Sequence, residues 1–232
     1  MENQFHFLLD DEKDKEKPFS FSHNGKVTSS GITTQTNFRI YEFKPLSQFT
    51  PGYLPHLSVP NGDNLPSLLI SNSELKKWVS DFLKSKGLML TLKPTENDIL
   101  VSKLMKDEIY SYPYFSLSET LQRIIFYILA IKTNKSAIIL FDEPDSNTFP
   151  VYTKLLAERI AMDKTNQFFI TTHNPYLLLS LIEKSKSEDL NICISRMKNH
   201  QTTLSTLDYN QISQVLDFRS DIFFNFEKIL RA

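Results

Sequence analysis

Blocks of apolar and polar positions alternate regularly over the second half of the chain. Short continuous apolar runs, typical of buried strands, are separated by longer stretches with a helical period. The predicted strands are 137–141, 168–171, 192–194 and 204–207. The predicted helices are 118–132, 151–161, 176–182 and the end of the chain. This alternation predicts an α/β fold with a mostly parallel central sheet that is flanked by helices, in which strand 137–141 is covered on both faces.

The first half of the chain is less regular. The predicted strands are 38–43, 88–92, 99–102 and 108–112, and a helix is predicted over 73–83 with a serine near its start and Gly87 past its end. The mixed charge run 10–17 predicts a solvated loop. We therefore divide the chain into an N-terminal strand and loop segment, 1–60, and a C-terminal lobe, 61–232.

Composition limits the classes of protein to which the chain can belong. Of its 232 residues 41% are apolar and the formal net charge is -1, so charge does not indicate nucleic acid, although a local basic patch stays open. The longest apolar stretch, Ile124–Ile131, is too short to span a membrane, and no signal peptide is evident, so we expect a cytoplasmic protein. The single cysteine, Cys193, excludes a disulfide framework within the chain, and we expect it to be buried in a strand.

An acidic pair ends the first of the buried strands in the second half. The sequence Ile138-Ile-Leu-Phe-Asp142-Glu143-Pro144 places two carboxylates just past the carboxyl end of a strand, which is the edge where open α/β sheets bind ligands. An Asp in this position suits Mg²⁺ that is held by phosphates, and the next Glu suits a general base that activates water. The alternative is a strand that ends in a solvated acidic turn.

Two further elements carry candidate chemistry. His173 stands just past the next buried strand, where it can bond a terminal phosphate or a water, unless it is a loop histidine without a partner. A cluster of hydroxyls that includes Ser118 opens the helix 118–132, and a helix N-terminus can hold an anion. The alternative for this cluster is an ordinary cap, since Ser116 and Glu119 fit a capping box.

The order and spacing of these three elements resemble the C-terminal half of an ABC-type ATPase head, with its signature motif, Walker B strand and switch histidine. The resemblance covers about residues 55–210 and is closest to the RecF/SMC-like and OLD-like branch of AAA-annotated ATPases. The matching stretches are Pro60-Asn-Gly-Asp-Asn-Leu-Pro66, Asp142-Glu-Pro-Asp145 and Thr171-Thr-His-Asn174-Pro-Tyr-Leu-Leu178.

The resemblance implies a role for each matched residue, with ATP and Mg²⁺ as the ligands. Asp142 would organise Mg²⁺, Glu143 would activate water and His173 would sense the γ-phosphate. Ser118 would contact the γ-phosphate of a nucleotide that is bound mainly to an opposing head. The further nucleotide contacts implied in this way are Glu119, Asp145 and Asn174.

The largest departure from the family is the absence of a P-loop. The pattern G-x-x-x-x-G-K-[ST] needs two glycines five positions apart, and of the five glycines in the chain only Gly25 and Gly31 come near that spacing. The family places its P-loop lobe before the region matched here, so the simplest account is that this chain lacks that lobe. The chain also has Glu119-Thr120 where the signature usually has glycine, and Phe149 where the family has histidine.

Three hypotheses follow for the function. The first is an ATP-hydrolysing half-head whose P-loop comes from a partner polypeptide, a second head in a head-to-tail arrangement or a missing N-terminal lobe. The second is a degenerate head that serves as an interaction module and docks through the signature helix and the loop 145–150. The third is a metal-dependent nuclease with Asp142, Glu143 and His173 as ligands, which the absence of a separate carboxylate cluster disfavours.

Overall fold

The chain forms two compact units that divide between Asn37 and Phe38. The structure is a computed structural model, and it describes residues 5–11, 14–21, 27–29, 37–198, 200–218 and 222–229. Gly25 and Gly31, which come nearest to a P-loop spacing, lie outside these residues. The functional division at residue 60 stays a prediction.

The first unit contains an antiparallel sheet of three strands, β1 (Phe5–Asp11), β2 (Asp14–Phe21) and β3 (Val27–Ser29), in the order β1-β2-β3. The pairing of β1 with β2 brings Phe5 opposite Phe21 and Asp11 opposite Asp14. The solvated loop predicted for the charge run 10–17 is therefore wrong for its described residues, all of which lie in β1 and β2. Backbone pairing in a hairpin uses groups that every residue carries, so charged side chains do not exclude it.

The second unit contains eight strands and seven helices in the described part of the chain. The strands are β4 (Phe38–Tyr41), β5 (Met89–Lys93), β6 (Asp98–Met105), β7 (Glu108–Pro113), β8 (Ile138–Asp142), β9 (Gln167–Thr171), β10 (Cys193–Lys198) and β11 (Gln201–Thr206). The helices are α1 (Leu65–Ser71), α2 (Ser73–Lys84), α3 (Glu119–Thr133), α4 (Pro150–Met162), α5 (Pro175–Lys184), α6 (Tyr209–Phe218) and α7 (Ile222–Ile229).

A parallel sheet in the order β4-β8-β9 forms the centre of this unit. One of its faces carries Tyr41, Ile139 and Phe141, each at most 1% exposed, and packs against the helices of the main core. The ring of Phe141 meets Tyr127 of α3 edge-on at a centroid distance of 4.8 Å. The α/β class with a parallel sheet flanked by helices is thus confirmed, although the second face of β8 is only half-buried rather than covered.

Strands β5, β6 and β7 form a separate antiparallel sheet, which confirms the three strands predicted here. Ile99 and Val101 of β6 point into the main core, because successive side chains of a strand alternate between faces. The helix α2 that precedes this sheet was also predicted, but Asn72 rather than a serine caps it, accepting bonds from the backbone N–H groups of Glu74 and Leu75. Gly87 follows the helix with a φ of +73°.

Helix α1 was not predicted, because it is short and begins with a proline at its second position. Proline suits the first turn of a helix, where its missing N–H has no helical partner. Leu68 and Leu69 of this helix lie in the main core. The turn before it needs Gly62, which has a φ of +73° and whose added Cβ would lie 3.0 Å from the ring of Phe126.

The end of the chain builds a second, smaller core. Strands β10 and β11 pair as an antiparallel hairpin, and Ile192, Ile194 and Val215 of α6 are buried together. Cys193 lies between the two inward-pointing isoleucines and is exposed, so the prediction that it is buried is wrong. Among the described residues there is no helix both long and apolar enough to cross a bilayer.

Candidate functional site

The carboxyl ends of β8 and β9 meet at one edge of the parallel sheet. Asp142 lies beside Thr171 in the strand register. The backbone N–H of Glu143 continues the ladder by donating to the carbonyl oxygen of Thr171 at 3.1 Å. The same N–H also donates to the hydroxyl oxygen Oγ1 of Thr171, at 3.1 Å. This pairing places the acidic strand end and the histidine strand end side by side, as the sequence predicts.

Glu143 and His173 are in direct contact. Glu143 Oε1 lies 2.7 Å from His173 Nδ1, and Ser146 Oγ donates to Glu143 Oε2 at 3.2 Å. An ionised carboxylate only accepts hydrogen bonds, so Nδ1 carries the hydrogen and Nε2 is left for a ligand. The two side chains are 47% and 75% exposed, so an approaching ligand can reach both. Glu143 has a φ of +43°, a backbone conformation that clusters at functional sites.

Asp142 stands at the end of β8 as an exposed carboxylate, and the hydroxyl of Thr171 donates to its Oδ1. The described residues contain no group of three or more His, Cys, Asp or Glu side chains that could hold a metal ion by themselves. A lone carboxylate fits Mg²⁺, which keeps several waters and takes its other ligands from phosphates. It does not fit a nuclease metal site that is built from protein side chains alone.

Asp145 and Asn174 fasten the loop after β8 to the loop after β9. Asp145 is 5% exposed and accepts a bond of 3.1 Å from the hydroxyl of Thr172. The hydroxyl of Thr172 accepts the backbone N–H of Asn174 at 3.0 Å, and Asn174 Oδ1 caps α5 by accepting the N–H of Tyr176. Both residues thus have partners within the chain, and their contact with nucleotide stays a prediction.

Burial gives Asp145 a stability effect that depends on pH. Desolvation raises the pKa of its carboxyl above the ordinary value, against smaller lowering effects of hydrogen bonds from its own backbone N–H, Thr172 and Asn174. The folded protein then binds more protons than the unfolded chain over the interval between the two pKa values. The contribution of Asp145 to stability is complete below the ordinary pKa of an aspartate. It is lost as the pH rises through the raised pKa of the folded protein.

The substitution Asp145→Asn should remove this pH dependence, because an amide has no proton to lose. We expect the wild type to lose stability relative to this variant as the pH rises above the ordinary titration range of an aspartate carboxyl. Urea unfolding at a series of pH values measures the difference, and the exposed Asp81→Asn is the matched control. Parallel stability curves for wild type and Asp145→Asn would contradict the expectation.

The start of α3 is bonded to the loop that follows the acidic pair. Thr120 Oγ1 donates to the carbonyl oxygen of Asn147 at 2.9 Å, and Asn147 Nδ2 donates to Glu119 Oε1 at 3.4 Å. Arg123 also donates to Glu119 Oε1, at 2.7 Å. The hydrogen bond from Arg123 has the largest effect on the pKa of Glu119 and lowers it, and the hydrogen bond from Asn147 lowers it further. Ser118 is the N-cap residue, and its hydroxyl is exposed and makes no bond with the helix.

The capping box predicted from Ser116 and Glu119 is therefore wrong. The helix begins at Glu119, so this residue occupies the first helical position rather than the third, and its carboxylate pairs with Arg123 one turn on. Ser118 and Glu119 reach Glu143 only through the intervening loop, whose Asn147 has a φ of +56°. Asp142, Glu143 and His173 are brought together directly.

The substitution Thr120→Val should loosen the loop after the acidic pair, because it keeps the shape of the side chain and removes the donor to Asn147. We expect a loss of about 0.5–1.5 kcal/mol in unfolding free energy and faster amide exchange over 145–149. Hydrogen exchange read by mass spectrometry measures the second effect. Thr120→Ser keeps the hydroxyl and should leave exchange unchanged, and equal exchange in both variants would contradict the assigned bond.

Sequence reasoning missed Thr171, Thr172 and Asn147 as members of the site. The two threonines stand directly before His173, and a pair of hydroxyls at a strand end was the available signal. No signal in the sequence indicated Asn147, because its place beside α3 depends on contacts between distant segments. Phe149, at the family's histidine position, is 70% exposed and leads into α4.

Comparison with known proteins places the chain in a family. Residues 10–180, more than half of the chain, match the family described as AAA domain, putative AbiEii toxin, Type IV TA system. No curated protein sequence matches the chain. The crystal structure of an SMC head bound to the C-winged helix domain of ScpA is similar to it at 13% identity, with a TM-score of 0.51 over 91% of this chain and 75% of that one.

Two further SMC structures are similar over a smaller part of the fold. The SMC head domain from Thermotoga maritima has 13% identity and a TM-score of 0.42, over 88% of this chain and 73% of that one. A structure from work on ATP-driven dimerization and DNA-stimulated activation of SMC ATPases has 16% identity and a TM-score of 0.45, over 66% of this chain and 91% of that one. The fold of the chain is similar to that of an SMC ATPase head. The match over residues 10–180 shows that the chain belongs to the AAA-domain family.

Proposed function

We propose that this chain is one half of a shared ATP-hydrolysing site, whose P-loop comes from a partner polypeptide or from a lobe outside this sequence. The observation that carries the proposal is the 2.7 Å contact of Glu143 with His173 beside Asp142, at the ligand-binding edge of a parallel sheet. The sequence contains no G-x-x-x-x-G-K-[ST] pattern that could hold the phosphates. The chain thus offers groups for water activation and metal coordination, and lacks the phosphate cradle.

The residues divide the chemistry in a simple way. Glu143 takes the proton of the attacking water, and its contact with His173 holds the carboxylate in place. His173 Nε2 accepts a hydrogen bond from the attacking water, or, in the doubly protonated ring, donates one to a terminal phosphate oxygen. Asp142 would hold Mg²⁺, and the ion would supply neutralisation of the charge that develops on the phosphates.

The start of α3 suits contact with a nucleotide on a second head. The free hydroxyl of Ser118 stands at the N-terminus of a helix of 15 residues, where unpaired N–H groups favour an anion. The charge of Glu119, which would repel a phosphate, is offset by its ion pair with Arg123. The loop that follows Glu143 is bonded to the same helix start, so both would meet the second head in a head-to-tail arrangement.

A second candidate function is an interaction module without turnover. The 70% exposure of Phe149 favours it, because a large apolar side chain at the start of α4 suits a protein contact better than a polar catalytic site. The Thr120 side chain, which stands where the family has glycine, also favours an interaction module. The two functions differ in one result, since only a shared site hydrolyses ATP when a P-loop-bearing polypeptide is added.

Binding of ATP by the purified chain alone tests the proposal. We expect no saturable binding of a fluorescent ATP analogue with Mg²⁺ at concentrations up to about 1 mM, because the phosphates have no cradle of backbone N–H groups. Fluorescence anisotropy measures it, with the wild type and Glu143→Gln side by side. Micromolar binding by either protein would contradict the proposal that the P-loop comes from elsewhere.

A further inference from the structure

Thr171, the last residue of β9, is bonded to both of the acidic residues at the end of β8. Its hydroxyl donates to Asp142 Oδ1 and accepts the backbone N–H of Glu143 at 3.1 Å. Its carbonyl oxygen accepts the same N–H, also at 3.1 Å. One residue therefore holds the carboxylate that is proposed for the metal and the backbone of the residue that is proposed to activate water.

The direction of the Thr171 hydroxyl follows from its two partners. An ionised carboxylate only accepts hydrogen bonds, so the hydroxyl hydrogen points to Asp142 and the hydroxyl oxygen is left to accept the Glu143 N–H. Threonine is branched at Cβ, which restricts its χ1 angle. The strand register places Thr171 directly beside Asp142. The fold itself therefore fixes this donor on the carboxylate, before any ligand arrives.

The bond from Thr171 makes the two oxygens of the Asp142 carboxylate unequal. Oδ1 carries the bond, and in the described part of the chain no other hydrogen bond or ion pair reaches this carboxylate. Oδ2 is thus left for a ligand. A metal that takes both oxygens has to compete with the Thr171 hydroxyl for Oδ1, whereas a metal that takes one oxygen does not.

Mg²⁺ and Ca²⁺ differ in how they use a carboxylate. Ca²⁺ has a large and flexible shell of oxygen ligands and accepts carboxylates in the bidentate mode, with both oxygens bound. Mg²⁺ is smaller, demands near-ideal octahedral geometry and keeps several of its waters, which suits a carboxylate that offers one oxygen. Hydrogen-bond partners of a ligating carboxylate orient it and tune its metal affinity. A donor that is fixed on one oxygen therefore favours Mg²⁺.

We propose that Thr171 is a positioning residue that makes Asp142 a one-oxygen metal ligand and thereby selects Mg²⁺ over Ca²⁺. The inference rests on the proposed function, because it concerns the metal of the same site, and it names the residue that determines which metal the site accepts. Thr171 acts through Asp142 and does not itself bind the metal. A bond that only closed the end of the sheet would affect stability and leave the choice of metal unchanged.

Binding of Mn²⁺ to the full chain tests the inference without a partner or a nucleotide. Mn²⁺ suits the same oxygen ligands as Mg²⁺ and is paramagnetic, so even weak binding broadens the NMR signals of nearby amides. We expect broadening of the Glu143 amide in the wild type and none in Asp142→Asn. Mg²⁺ should then restore the signal at a concentration about tenfold lower than Ca²⁺ requires.

The substitution Thr171→Val keeps the shape of the side chain and removes the donor to Asp142. We expect the preference for Mg²⁺ over Ca²⁺ to fall by about tenfold, because both oxygens are then free for Ca²⁺. Thr171→Ser keeps the hydroxyl and should retain the preference of the wild type. Thr202→Val makes the same change at an exposed position of β11 and should also leave it unaltered. Circular dichroism checks that the variants fold.

The outcomes separate this inference from the proposed function. The role of Thr171 is overturned if the wild type shows no broadening at Glu143, if both ions displace Mn²⁺ equally, or if Thr171→Val keeps the preference. ATP hydrolysis by the complemented complex would then still support the shared site. A preference for Mg²⁺ that depends on Thr171, without hydrolysis when a P-loop-bearing polypeptide is added, supports the role of Thr171 and overturns the shared site.

Discussion

Glu143→Gln is expected to lower the ATP turnover of the chain, once a P-loop-bearing polypeptide complements it, by about 100- to 10,000-fold. This is the range that a positioned general base contributes to a reaction. Glutamine keeps an oxygen that can accept the hydrogen of His173 Nδ1, so the contact seen at 2.7 Å is retained while the basicity is lost. Phosphate release measures the rate, and the nucleotide affinity of the complex should stay within about threefold.

The matched control for this substitution is Glu183→Gln, which makes the same chemical change at an exposed position of α5. It should leave turnover unchanged. The ATP-bound complex of Glu143→Gln should also persist longer than that of the wild type, because hydrolysis no longer ends it, and size-exclusion chromatography shows this directly. Wild-type turnover in Glu143→Gln would mean that another group activates the water.

Phe141→Ala is expected to lower the free energy of unfolding by about 3–5 kcal/mol, the usual cost of deleting a fully buried aromatic side chain. Phe141 is 1% exposed in the central strand, and its ring lies against Tyr127 at 4.8 Å and Tyr41 at 6.2 Å. The cavity would open between the sheet and α3, directly below the acidic pair. Chemical denaturation followed by circular dichroism measures the loss.

Phe169→Ala serves as the control for this prediction, because it deletes the same side chain from the neighbouring strand on the sheet face opposite to the main core. At 54% exposure it should cost about 1 kcal/mol or less in the isolated chain. Similar losses for the two variants would mean that the face opposite to the main core is covered in solution. A large loss for Phe141→Ala alone agrees with a sheet that is packed on one side.

Local patterns in the sequence were enough to predict most of the second unit. Strand β8 and helix α3 follow from apolar runs and helical periods that need no distant partner, and both are present within one or two residues of the predicted bounds. The placement of polar residues after β8 and β9 was predictable for the same reason. Parallel strands bring their carboxyl ends to one edge whatever the rest of the fold does.

Contacts between distant segments were beyond such patterns. The bond of Thr120 to Asn147 joins residues 27 positions apart, and that of Thr172 to Asp145 does the same. The pairing of charged residues in β1 and β2 arises from a hairpin rather than from any local preference. Each of these features needs two segments in a defined register, which no window of sequence contains.

The sequence by itself therefore determined which residues lie at the ends of buried strands, because strand burial follows from the local run of apolar side chains. Only the tertiary structure decided that Glu143 meets His173 at 2.7 Å, because that distance depends on the register between β8 and β9. It also decided that the second face of β8 is only half-buried by the described part of the chain. A run of apolar residues shows that both faces of a strand prefer to be covered, and only the packed fold shows which of them the chain covers itself.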